Sequence, residues 1–143
     1  MSFNDAVNRV TDELKKRLWC LTDIDVQMTL QKKLDVDFRK YRILGAFNPQ
    51  FTYKALKAES RIGTMLPCNV IVQETEQKKI KVSAIDPIAS MQSVENQELK
   101  DIAHQVQAEL KKVWSVYNLM FSEVFHEDQF LFRPTGLLGD CRV

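Results

Sequence analysis

Residues 41–74, YRILGAFNPQFTYKALKAESRIGTMLPCNVIVQE, decide how the chain folds. Tyr41, Ile43 and Gly45 alternate with Arg42, Leu44 and Ala46. So many apolar positions predict a strand covered on both faces. Asn48 is a favoured helix N-cap, and Pro49 suits a first helical turn, where its missing N–H is unsatisfied anyway. The helix is expected to run to about Glu59 with Phe51, Ala55 and Leu56 facing inward. Ile62-Gly63 is expected to close it, glycine supplying a positive φ. Leu66 to Gln73 reads as a second strand, with Pro67 at its start or on an edge because proline cannot donate to the ladder.

Upstream, Ser2 and Asp5 have the spacing of a capping box. Phe3, Val7, Val10 and Leu14 then share one face of an amphipathic helix. Asp12 with Lys16 and Glu13 with Arg17 are expected as pairs on its wet side. Leu18 to Ile24 reads as a first strand, with Cys20 a small buried hydrophobe. Asp25 offers the next N-cap, and Val26, Leu30 and Leu34 give a short helix one apolar stripe.

Downstream, Lys79 to Ile85 pairs with the second strand of the central stretch as a hairpin across Glu74 to Lys78. That turn lacks the usual glycine. Asp86-Pro87 stops the strand. Asn96 caps the longest helix, in which Leu99, Ile102, Ala103, Val106, Leu110, Val113, Tyr117 and Met120 keep a three-four spacing. At about 1.5 Å per residue that helix reaches nearly 40 Å, longer than a small sheet needs, so its far end is expected against a second subunit. Residues 122–143 bring Phe125, Phe130, Leu131 and Phe132 close together before Pro134, Gly136 and Gly139. A tail so apolar is expected to pack on the domain or on a dimer partner.

These elements predict one α+β domain over residues 1–121, a small two-layer fold. About four strands form a mainly antiparallel sheet with helices packed on it, and residues 122–143 extend the domain. The chain's 143 residues suit a single core. Its 20 basic and 19 acidic side chains give a net charge of +1, which argues against broad capture of nucleic acid. The N-terminal run has no signal-peptide pattern, and no stretch approaches the apolar length of a membrane span, so no membrane role is expected. Cys20, Cys68 and Cys141 are far apart and odd in number, which fits a reduced cytoplasmic protein better than a disulfide framework.

Few motifs carry chemistry. His104 and His126 have no metal-ligand spacing, and no nucleophile elbow or phosphate-binding glycine loop occurs. His104 reads as a helix-surface residue. Cys68 follows Pro67 at a strand start, and Asn69 points to the opposite face. If the helix start at Asn48 and Pro49 faces Cys68, its partial positive charge favours a thiolate or a small bound anion. The alternative is an inert, buried Cys68.

The same residues also carry a resemblance. Tyr41 to Ala46, Asn48-Pro49, Tyr53, Ala55-Leu56, Glu59, Ile62-Gly63 and Leu66 to Val70 resemble the signature of the domain of unknown function 302 family. Asp86-Pro87 and Leu21 to Val26 fit it as well, so the likeness spans about residues 3–118. It implies a compact α/β domain that associates as a homodimer, and it brings no established activity or cofactor. Many members carry Cys where this chain has Phe47, so a two-cysteine role with Cys68 is lost here. Ser60 and Gln97 also stand where proline is common, changes that bear on helix ends.

Three functions follow as expectations. The first is a homodimeric module binding a small ligand, an anion being one candidate, at Asn48, Pro49, Cys68 and Asn69. The second is a thiol enzyme or redox sensor using Cys68 as its catalytic residue. The third is an interaction scaffold built on the long helix and the tail.

Overall fold

A computed structural model of the chain describes residues 1–17, 19–121 and 137–142, without the side chains of residues 20, 116–121 and 137–142. Readings that rest on Leu18, on the side chains of Cys20, Tyr117 and Met120, or on residues 122–136, His126 included, lie outside the described residues. The elements run α1 (Phe3–Lys16), β1 (Cys20–Asp25), α2 (Val26–Leu34), β2 (Tyr41–Phe47), α3 (Pro49–Ala58), β3 (Cys68–Glu74), β4 (Ile80–Ile85), α4 (Pro87–Ser90), α5 (Gln97–Phe121) and β5 (Leu137–Arg142). The strands form one antiparallel sheet in the order β1-β2-β3-β4-β5. The α+β architecture with a long C-terminal helix is thus present. β5, which the sequence pattern did not mark as a strand, adds to the free side of β4, and its pairing passes over Gly139.

Local chemistry starts the helices where the sequence places them. Ser2 and Asp5 form the capping box of α1. The Asp25 carboxylate accepts from Met28 N–H at α2, and the Asn48 side chain accepts from Gln50 and Phe51 N–H at α3. Asn96 accepts from Leu99 N–H at α5. In the β3–β4 hairpin, Lys78 takes the positive φ of 60° that a glycine would otherwise supply.

Strand alternation separates the two sheet faces. Leu44, Ala46, Cys68, Val70, Val72, Ile80, Val82 and Ala84 share the buried face. Against it lie Phe3, Val7, Val10 and Leu14 of α1 and the buried stripe of α5 from Leu99 to Val113. Each Leu, Val, Ile or Phe among them contributes about 1.5–3 kcal/mol by leaving water. An ion pair whose Lys16 end stays exposed, such as Lys16–Glu13, adds only about 0.2–1 kcal/mol, so apolar burial sets how α1 lies.

Several expectations change. Glu13 is buried and pairs with Lys16 three residues on, because α1 tucks that side of the helix toward the domain. α2 buries none of its residues, and Leu34 is 65% exposed; the helix is held by its N-terminal tie to β1 and its contacts with β2. Leu56 is also exposed, as α3 rests on Ala55 and Phe51. α3 ends where expected, with Glu59 as its extended C-cap, but Gly63 does not close it and lies without positive φ inside a 3-10 turn from Ser60 to Met65. β2 is not covered on both faces either. On its second face Ile43 stays half-exposed, next to Ile24 on β1 and Ile71 on β3.

Gly45 is the exception on that open face, for it is buried. A Cβ there would come within 2.4 Å of the Thr22 hydroxyl and 2.7 Å of the Pro67 ring. The Leu66–Pro67 peptide bond is cis. Gly45→Ala is therefore expected to lose about 1–3 kcal/mol of stability in urea unfolding, the usual range for overpacking. Adding Thr22→Ala should recover only part of this, because the proline ring remains; full recovery would show that Pro67 is no obstacle.

Candidate functional site

The candidate site is built where β2 hands over to α3. Ala46 ends the buried face of β2 and pairs with Cys68 at the start of β3. Phe47 and Asn48 follow, and Asn48 turns the chain into α3 by capping it. Phe51, Thr52 and Ala55 then project from successive turns of α3. α5 supplies Ile102, Ala103 and Val106 opposite, spaced three and four apart on one face. Trp19, Leu66, Pro87 and Met91 complete the wall of a narrow cleft.

Pro87 and Met91 are held by a buried polar contact. The Asp86 carboxylate accepts from Ile88 N–H at 3.0 Å and from Gln107 Nε2 at 2.9 Å. One oxygen thus caps α4 and fastens the end of β4 to α5. A buried carboxylate is costly unless it is hydrogen-bonded, and both donors meet that need here.

The four sequence-predicted residues separate in space. Asn48 and Cys68 line the cleft together. Pro49 is exposed at the start of α3, and Asn69 is exposed on the opposite sheet face. The Asn48 side-chain oxygen is occupied by Gln50 and Phe51 N–H, so those amides are not open to an anion. Trp19 was missed by sequence reasoning, which took it only as part of an apolar strand. It is 4% exposed, and its indole N–H is buried without a hydrogen-bond partner among the described residues. A tryptophan beside a strand signals burial, but only the fold shows its donor left over.

Cys68 does not meet the chemistry of a reactive thiol. It is 6% exposed, and burial pushes its thiol up from 9.0 to about 11. That rise corresponds to roughly 3 kcal/mol in favour of the protonated form. A helix start supplies only about 0.3–1 kcal/mol to an anion, so burial wins over the pull of α3. At neutral pH Cys68 is a neutral, apolar part of the wall.

Among the described residues no group of three His, Cys, Asp or Glu side chains could hold a metal ion, and no helix is long and apolar enough to cross a membrane. The family model of the domain of unknown function DUF302 matches residues 1–116. A solved structure, the uncharacterized conserved protein DUF302 from Bacillus stearothermophilus, is similar with a TM-score of 0.71 and 24% identity. The likeness covers 79% of this chain and 88% of that one, and at this identity it shows a shared fold. No curated protein matches the sequence.

The Cys68 environment sets two outcomes. Alkylation by iodoacetamide at pH 8, read at Cys68 by peptide mapping, should be at least about tenfold slower in the native protein than in denaturant. Because the folded thiol titrates above its ordinary 9.0, its contribution to stability is complete below that pH and fades as pH rises towards about 11. Urea unfolding at pH 8 and pH 10.5 should show that decline shrink in Cys68→Ala. An equally fast native reaction would overturn the buried-thiol assignment.

Proposed function

The chain belongs to the DUF302 family, and we propose that it is a small-ligand-binding module, working as a cytoplasmic homodimer, whose site is the cleft between Asn48 and Cys68. The observation that carries this reading is Trp19, a residue that lines the cleft and whose buried indole N–H has no hydrogen-bond partner among the described residues. Leaving such a donor unsatisfied costs about 1–3 kcal/mol, and a ligand oxygen accepting from it would recover that cost. The lining holds no cation, so the ligand portion inside the cleft is neutral rather than the small anion that the helix start alone suggests.

Dimerisation has separate support. Ile24 pairs with Ile43, and Ile43 with Ile71, giving an apolar row across three strands on the open sheet face. Ile24 is 51% exposed. A regulatory or scaffold role through that face is the second reading. The thiol-enzyme reading has the least support, because Cys68 is held protonated.

A thermal-shift panel of short neutral ketones and amides, followed by native mass spectrometry, tests the cleft. At least one compound should stabilise the protein, by about 2.7 kcal/mol at a hundredfold excess over Kd. Trp19→Phe should weaken that compound about tenfold, the worth of one buried hydrogen bond. Stabilisation by none of the panel, with no carried ligand in the mass spectrum, would sink the reading.

A further inference from the structure

β2 and β3 carry the cleft at one end and a separate cavity at the other. Ala46 and Cys68 line the cleft, whereas Lys40 and Glu74, at the opposite ends of the same two strands, line a cavity of about 390 Å³. That volume lies within the roughly 300–1,000 Å³ of small-molecule sites. Hydrogen bonds between residues of the lining tie its walls together. Gln27 Nε2 of α2 donates to the Phe38 carbonyl at 2.8 Å, and Glu74 N–H donates to the Lys40 carbonyl at 2.9 Å. Lys78 N–H donates to the Thr75 carbonyl at 3.0 Å and closes the β3–β4 turn.

The charges of the lining balance, and half of them are already used. Arg39, Lys40 and Lys78 stand against Asp37, Glu74 and Glu76. Glu74 takes both lysines, its carboxylate lying 3.2 Å from Lys78 Nζ and 4.0 Å from Lys40 Nζ. Arg39, Asp37 and Glu76 enter none of the ion pairs among the described residues. The Arg39 guanidinium instead lies 4.9 Å from the centre of the Phe38 ring and 5.8 Å from that of Tyr41. Both rings attract it, and a long side chain restrained beforehand loses less freedom when a ligand arrives. No carboxylate of the described residues accepts from it, so its planar fork is left for a carboxylate from outside.

Charge then selects the ligand. A simple anion at Arg39 would share the cavity with Asp37 and Glu76, and a simple cation at those carboxylates would share it with Arg39, Lys40 and Lys78. A zwitterion satisfies both sets at once. We propose that this cavity binds a short zwitterion, an α-amino acid or a dipeptide, with its carboxylate on Arg39 and its ammonium at Asp37 and Glu76. Phe38 adds an apolar surface to the lining, which favours an apolar side chain on the ligand. The site shares no residue with the cleft, so each stands or falls by its own test.

Calorimetry on the full chain at low salt separates the parts. L-Leucine and L-leucyl-L-leucine are the zwitterions, 4-methylpentanoate lacks the ammonium, and 3-methylbutylamine lacks the carboxylate. At least one zwitterion should bind about tenfold or more tightly than either analogue, the worth of one charge-assisted hydrogen bond. Arg39, Asp37 and Glu76 are exposed, so changing them leaves the core intact. Arg39→Gln should bring the zwitterion down to the level of 3-methylbutylamine. Asp37→Asn with Glu76→Gln should weaken the zwitterion and leave 4-methylpentanoate bound no less tightly than before. Binding of neither zwitterion, equal binding of zwitterion and analogues, or a zwitterion affinity untouched by Arg39→Gln would overturn the assignment.

Discussion

The close approach of the Pro67 ring to Gly45 is the contact on which the rest of the site depends. Any side chain at Gly45 would collide with that ring and with the Thr22 hydroxyl. The missing Cβ lets Pro67 lie against β2, and the chain enters β3 immediately after it. That entry point sets Asn69 opposite Gly45 and Cys68 opposite Ala46. A slip of one residue would exchange the two faces of β3, turning Cys68 outward and Asn69 into the core. Glycine at this position is therefore a packing requirement, and it fixes which side chain reaches the cleft.

A second tie sets the other wall. Asp86 ends β4, caps α4 and receives Gln107 from α5, so sheet and helix meet through one buried carboxylate. Pro87 and Met91 follow directly from it. The fixed parts of the cleft, Ala46 and Cys68, thus come from the sheet register, whereas its adjustable part, Met91, hangs from a short helix fastened at one end. A rigid floor beneath one flexible side chain suits a site that closes around something small.

How much of this was legible in the sequence depended on range. Ser2, Asp25, Asn48 and Asn96 were readable as caps because the bonds they accept come from amides two or three residues away. The strand alternation of Leu44 and Ala46, or of Cys68, Val70 and Val72, was readable for the same local reason. Burial was not. Leu34 and Leu56 have the spacing of inward residues, yet both stay exposed, while the charged Glu13 is covered. Periodicity marks a face, and only the tertiary arrangement decides whether that face meets a neighbour. The site divided along the same line. Asn48 and Cys68 could be named from adjacent motifs, but Trp19 reaches the cleft from a distant part of the chain and carried no local signal of an unpaired donor.

The character of the cleft follows from what stands beside Cys68. The family resemblance implies Cys at the position of Phe47, and a thiol there would lie one residue beyond the partner of Cys68 in the β2–β3 ladder. Here Phe47 stands among the residues that line the cleft. The exchange removes a possible second thiol. An apolar wall raises the cost of ionising whatever remains, and the Cys68 thiol, pushed up to about 11 by burial, is where that cost appears. Loss of a resolving thiol and suppression of the remaining thiolate act in the same direction. In this chain the wall at the start of α3 carries no charged side chain, and the thiol it encloses stays neutral.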